Sequence, residues 1–138
     1  MVRGSLLPFL RQHRLAVVST VRGGAPQAAV VGIAATETLD IIFDTLSTSR
    51  KYVNLTADPH VALVIGWDAE QTVQIEGVAD LPSGEGLAAC KQAYFAVWPD
   101  GRARETWPAI AYVRVRPRWL RFSDYGKAPP WIEELTLP

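Results

Sequence analysis

Cysteine is nearly absent from the chain. Cys90 is the only one in 138 residues, so no internal disulfide can form and a reducing cytoplasm is the expected setting. Histidine is almost as scarce. His13 and His60 sit outside any ligand-spaced grouping with Cys, Asp or Glu, and no metal site is expected. Neither sign of charge is in excess: fourteen Lys and Arg balance fourteen Asp and Glu. That argues against a nucleic-acid partner, whose footprint is a basic stripe or domain. No apolar run is long enough to span a bilayer, and Pro8, Arg11, Gln12 and Arg14 break up the region around Leu6-Leu7. Neither a membrane partner nor a signal-peptide core is expected. A Gly-x-Ser-x-Gly elbow, a Walker loop and a dinucleotide fingerprint are all missing. Hydrolytic chemistry therefore has no visible carrier, and any catalysis would draw its reactivity from a bound organic cofactor.

What is present reads as one domain over 1–138, with a core at 14–124 and a loosely packed tail at 125–138. An apolar fraction of 49% is ordinary for a globular chain of this length. Ser5 is placed to cap a short helix to Gln12, with Pro8 in its first turn. Arg14 to Val21 and Gln27 to Ala35 read as strands around a Gly23-Gly24 turn. A third strand spans Leu39 to Asp44, and a helix follows Ser49 until Asp58-Pro59 ends it. His60 to Trp67 is apolar on both faces at its centre and reads as a central strand. Gln71 to Ala79 alternates Val73, Ile75 and Gly77 with Thr72, Gln74 and Glu76, so one of its faces meets water, a ligand or a partner. Ser83 to Val97 reads as a helix with a stripe of Leu87, Cys90, Tyr94 and Val97, and Cys90 as a buried inert thiol. Ile110 to Arg116 and Trp119 to Ser123 read as two strands separated by Pro117. Strands linked by hairpins, with few helices, predict a mainly β fold: an antiparallel barrel whose closure removes exposed edges.

The chemistry concentrates in Phe43-Asp44-Thr45-Leu46-Ser47-Thr48-Ser49-Arg50-Lys51. Four hydroxyls lead into two adjacent cations at a helix start, a combination suited to a phosphate. Arginine offers a bidentate fork and lysine a point charge. A Ser N-cap followed by a solvated cationic face would read the same way from these nine residues alone.

Phe43-x-Thr45-x-x-x-Ser49-Arg50-Lys51 resembles the flavin-phosphate segment of the pyridoxamine 5′-phosphate oxidase family, the FMN-binding split β-barrels. Further segments follow in the family's order: Pro26-x-Ala28, Asp58-Pro59-His60-Val61, Gln71 to Ala79 ending in Gly-x-Ala, and Tyr94-Phe95 before Pro99. The resemblance implies an FMN cofactor, its phosphate and ribityl chain held by Asp44, Thr45, Arg50 and Lys51, with Ser49 capping the helix behind them. It implies that the backbone of Ala29, Val30, Val31 and Gly32 lies beside the flavin ring, that Gln71 or Thr72 contacts it, and that Tyr94 and Trp98 face the substrate. It also implies a homodimer with the cofactor between subunits; the aromatics Trp107, Trp119 and Trp131 are compatible with an interface and equally with the core.

The chain departs from the true oxidase pattern as well. Ala29 and Ala34 stand where the oxidase has Arg and Lys, Trp98 replaces a substrate-phosphate Arg, and the C-terminal Arg-x-His motif is absent. A dianionic vitamin phosphate needs several charge-assisted contacts of about 1.5–3 kcal/mol each. A less charged, more aromatic or apolar substrate fits Trp98 better. The expected function is an FMN-dependent oxidoreductase acting on a small molecule. The alternatives are a relative binding deazaflavin or haem, and a non-catalytic flavin-binding or sensing dimer.

Overall fold

The computed structural model describes residues 3–138. The chain runs α1 (Arg3–Gln12), β1 (Leu15–Arg22), β2 (Ala25–Gly32), β3 (Ala34–Ala35), β4 (Ile41–Leu46), α2 (Arg50–Ala57), β5 (His60–Ile65) and β6 (Gln71–Asp80). It continues through α3 (Gly84–Val97), a 3-10 turn (Pro99–Arg104), β7 (Ile110–Asp124) and β8 (Trp131–Thr136). The strands pair antiparallel in the order β2-β1-β5-β6-β7-β4-β3, with β8 also on β7. Strands β2 and β3 lie at opposite ends of that order, yet only Ile33 separates them in the chain. The sheet must therefore curl back on itself, and the result is a split, half-closed β-barrel.

Alternation places Ala16, Val18, Leu63, Ile65, Val73, Ile75, Ile41, Phe43, Val113 and Val115 inside. Each fully buried Ile, Leu or Phe contributes roughly 1.5–3 kcal/mol of transfer free energy. Helix α1 adds Leu6, Phe9 and Leu10 to this core at helical spacing, and Phe9 meets Phe122 edge-on at 5.4 Å. A second, smaller cluster joins Ala34, Ile42 and Tyr112 to Cys90, Tyr94 and Phe95 of α3. Successive residues of β4 therefore serve different cores: Ile41 and Phe43 the barrel, Ile42 the α3 side.

The structure corrects several expectations. Helix α1 starts at Arg3 rather than behind a Ser5 cap. The bond Pro8 cannot make falls on Gly4, in the first turn, where carbonyls facing solvent tolerate the loss. The strand expected over Gln27 to Ala35 breaks at Ile33, because its two parts pair with different neighbours, β1 and β4. Pro117 does not interrupt β7, which runs unbroken for 15 residues. On one side β7 pairs with β4 over Ile110–Val115 and with β8 over Trp119–Asp124. Pro117 sits in the gap between them, where that side has no ladder to lose a donor. The tail is not loose either: Trp131–Thr136 form β8, and Leu135 and Leu137 pack on the main core. In β5, Ala62 is exposed although the neighbours on both sides are strands, so its outward face is left uncovered by this chain.

The register of β6 and β7 shifts between Glu76 and Gly77, which brings the Arg116 carbonyl against Gly77. A Cβ at Gly77 would lie 2.5 Å from that oxygen, and backbone cannot rotate away as a side chain can. Gly77→Ala is expected to lower stability by about 1–3 kcal/mol through overpacking. A urea midpoint equal to that of the unmodified chain would show that the sheet opens there without strain.

Candidate functional site

The turn after β4 positions a helix start. Ser49 is the N-cap of α2 in extended conformation, and its Oγ accepts from the Tyr52 amide at 3.3 Å. Thr45 reaches the same hydroxyl at 2.9 Å, tying the strand end to the cap. Arg50 and Lys51 follow on the first turn. Neither side chain makes a hydrogen bond or ion pair with another described residue. Together with Thr20, Gln27, Ala28 and Ala29 they line a cavity of about 180 Å³ that no acidic residue enters. Two unpaired cations on the first turn of a helix line it beside Thr20 and Gln27, and the donor set fits a phosphate group.

The neighbouring residue of β4 points the other way. Asp44 accepts from Tyr94 Oη at 3.0 Å and from Arg104 Nε at 3.0 Å, and Arg104 also reaches Asp100 at 3.2 Å. Burial first, then the Asp44 carboxylate, hold the Tyr94 hydroxyl protonated well above its ordinary range. The Asp44 carboxylate thus belongs to the α3 side, on the face of β4 opposite Thr45. Tyr94 is 3% exposed, and its hydroxyl is already engaged.

Trp98 lies across the end of β2. Its ring rests on Gly32, where an added Cβ would come within 2.7 Å of the indole. Its Nε1 donates to the Ile33 carbonyl at 3.0 Å, and the Arg14 guanidinium covers the ring at 4.2 Å. Only glycine allows this approach, so Gly32 and Trp98 fix each other and wall off one end of the Ala29–Gly32 strip. Val30, 62% exposed on the edge strand, offers an open apolar side chain beside the strip, whereas Val31 is buried in the barrel.

Gln71 and Thr72 stand apart from the corner. They open β6, two strands from β1 and three from β2. Gln71 donates to Asp124 at 3.1 Å, and Thr72 shares the outward face with Ser123. Within one chain the structure brings Thr45, Ser49, Arg50, Lys51 and Ala29 together, and leaves Gln71, Thr72, Asp44 and Tyr94 elsewhere. Cys90 is buried on α3, and burial above all pushes its thiol up, away from nucleophilic use. The sequence reading missed Thr20, Gln27 and Asn54. The available signal was Asn54 itself, a polar residue in the interior of a short helix, where asparagine is a poor former.

A profile of the family described as pyridoxamine 5′-phosphate oxidase matches residues 4–124. The chain belongs to that family. A pyridoxine/pyridoxamine 5′-phosphate oxidase from Bordetella avium is 33% identical over 117 residues, covering 78% of this chain and 54% of that protein. A namesake from Prochlorococcus marinus is 33% identical over 99 residues, 71% of this chain and 43% of its own. The chain spans about half the length of the curated relatives it matches. Among solved structures, a haem-binding protein from Mycobacterium smegmatis superposes with a TM-score of 0.81 at 21% identity, over 99% of this chain and 60% of that one. A pyridoxamine 5′-phosphate oxidase-related, FMN-binding protein from Nostoc punctiforme gives 0.72 at 13% identity, over 99% and 96%. At such identities these structures share the split-barrel fold of the family.

Asp44→Asn keeps an acceptor for Tyr94 but removes the charge facing Arg104. The expected loss of stability is about 1–3 kcal/mol, read as a lower urea midpoint. An unchanged midpoint would mean that the Asp44–Arg104 pair, though only 13% and 25% exposed, contributes nothing.

Proposed function

We propose that this chain binds FMN, with the phosphate at the start of α2 and the ring along Ala29–Gly32, and works as a flavin-dependent oxidoreductase on a small, weakly charged substrate. The observation that carries this reading is the pair of unpaired cations, Arg50 and Lys51, facing a cavity without an acid. Thr45 and Ser49 hold the helix start in place, while Asp44 contributes through the orientation of β4 rather than through its carboxylate. Bound FMN supplies hydride or electron transfer at its ring. The chain's own residues anchor the phosphate and present the β2 strip, and Trp98 limits the strip at one end. On α3 the one cation, Lys91, is paired with Glu105 at 3.3 Å, and Tyr94 is bonded inward to Asp44, which favours an uncharged or aromatic substrate.

A cavity of about 180 Å³ is smaller than the 300–1,000 Å³ of ordinary small-molecule sites, so one chain houses the phosphate end only. The outward face of β1, β5 and β6 carries Val17, Val21, Ala62, Val64 and Val78 among Ser19, Gln74 and Glu76, with Trp119 beside them. A homodimer that buries this face accounts for the cofactor contact expected of Thr72, which lies three strands from β2 within one sheet.

A second reading, haem binding, has one observation in its favour. The His60 ring nitrogen Nδ1 pairs with Asp58 at 2.7 Å, the arrangement that frees Nε2 for a metal. It lies at the rim of an apolar trough of about 460 Å³ beside Trp119 and Arg118. The visible spectrum of the purified protein separates the two readings, a flavin band against a Soret band, and His60→Ala would remove only the latter.

Arg50→Ala and Lys51→Ala are each expected to weaken FMN binding about tenfold or more, while riboflavin, which lacks the phosphate, binds within about twofold of the unmodified chain. Flavin fluorescence titration measures both. Unchanged FMN affinity in both variants would remove the phosphate assignment.

A further inference from the structure

The cation pair forms one wall of the corner, and the opposite wall carries a polar arrangement of its own. Thr20 and Gln27 are cross-strand partners on β1 and β2, and both line the cavity. Behind them lies Asn54, 1% exposed, four residues after Arg50 and three after Lys51, hence on the same face of α2. Its Nδ2 donates to Thr20 Oγ1 at 3.0 Å and to Gln27 Oε1 at 2.8 Å. Asn54 Oδ1 has no partner among the described residues. The reversed amide would instead leave the buried NH2 without acceptors, and orphaned donors are rarer in folded proteins than under-satisfied carbonyls. The donor orientation towards Thr20 and Gln27 is therefore the stable one.

Asn54 occupies the Gln27 carbonyl oxygen, so the group Gln27 has left is its amide nitrogen, with two N–H donors. Thr20, accepting through Oγ1, likewise keeps its hydroxyl proton to give. The geometry points to Gln27 as a third ligand of the anion at this corner, with Asn54 as the positioning residue that turns the donor ends of Gln27 and Thr20 towards it. The inference rests on the phosphate corner proposed above and narrows its ligand. A fully ionised phosphate monoester has acceptor oxygens only, so it matches a wall made of two cations and fixed neutral donors. A carboxylate has two oxygens rather than three, and an alcohol carries a proton of its own, so either answers fewer of those donors.

The test uses the full chain, with FMN and riboflavin followed by fluorescence and inorganic pyrophosphate by calorimetry. Gln27→Met keeps length but has no donor. It is expected to lower FMN affinity about tenfold and riboflavin affinity less than twofold. Asn54→Asp, which can only accept at that position, should reverse Gln27 and Thr20 and lower the FMN-to-riboflavin affinity ratio at least as far. If Asn54→Asp does not fold, Gln27→Met decides alone. A ratio in Gln27→Met equal to that of the unmodified chain overturns the inference while leaving the FMN reading standing. If the unmodified chain does not take up FMN, that reading fails and pyrophosphate decides: weaker binding in Gln27→Met supports the Gln27 role. Equal binding in both proteins, or none in either, overturns it.

Discussion

Everything at the corner depends on how α2 is pinned to the barrel. An eight-residue helix is too short to be stable by propensity alone, so tertiary contacts must hold it. Ser49 and Thr45 fix its start to the end of β4, and Asn54 clasps β1 and β2 from its second turn, with Leu55 buried beside it. Between these two attachments Arg50 and Lys51 project from a backbone that cannot swing away. Their charges stay unneutralised because no acid among the described residues is placed within reach. A buried amide is the costlier of the two anchors, since an unsatisfied polar group in the interior costs about 1–3 kcal/mol. Its retention at 1% exposure is understandable if the hydrogen bonds it donates also set the polarity of the cavity wall.

Strand β4 shows how one extended segment serves two sites. Thr45 faces the helix cap and the barrel, and Asp44, one residue earlier, faces α3, Tyr94 and Arg104. The acidic group is thereby kept on the far side of the strand from the cations, where it stabilises the α3 packing instead of competing for Arg50 and Lys51. A shift of register by one residue would exchange the two faces and bring a carboxylate towards Arg50 and Lys51. The ladder of β4 with β7, from Ile41–Val115 to Leu46–Ile110, prevents that shift.

Much of this was legible in the chain. The alternation in Gln71 to Ala79, the Gly23-Gly24 turn and the Ser49 cap are local patterns, and each forms where its pattern lies. The hydroxyl-and-cation run from Phe43 to Lys51 announced the corner because helix N-termini are written in a few adjacent residues. What was not legible depends on partners distant in sequence. Pro117 reads as a strand end until the handover from β4 to β8 is known, and Trp131–Thr136 lack a period because one face meets the core only through Leu135. The Asp44–Arg104 pair spans sixty positions and the Asn54–Thr20 bond thirty-four, and no local pattern encodes either. Gln71 and Thr72 alternate as expected, but whether they meet a cofactor is decided by sheet order, which places them three strands from β2.

The central claim is one of location: an anionic group of the cofactor sits at the start of α2, between the cations and the β1–β2 wall. A crystal structure of the protein grown with FMN tests it directly. The account predicts phosphate density in contact with Arg50 and Lys51, with the ring extending over Ala29–Gly32. Phosphate density on any other surface, with Arg50 and Lys51 turned to bulk solvent, would contradict it.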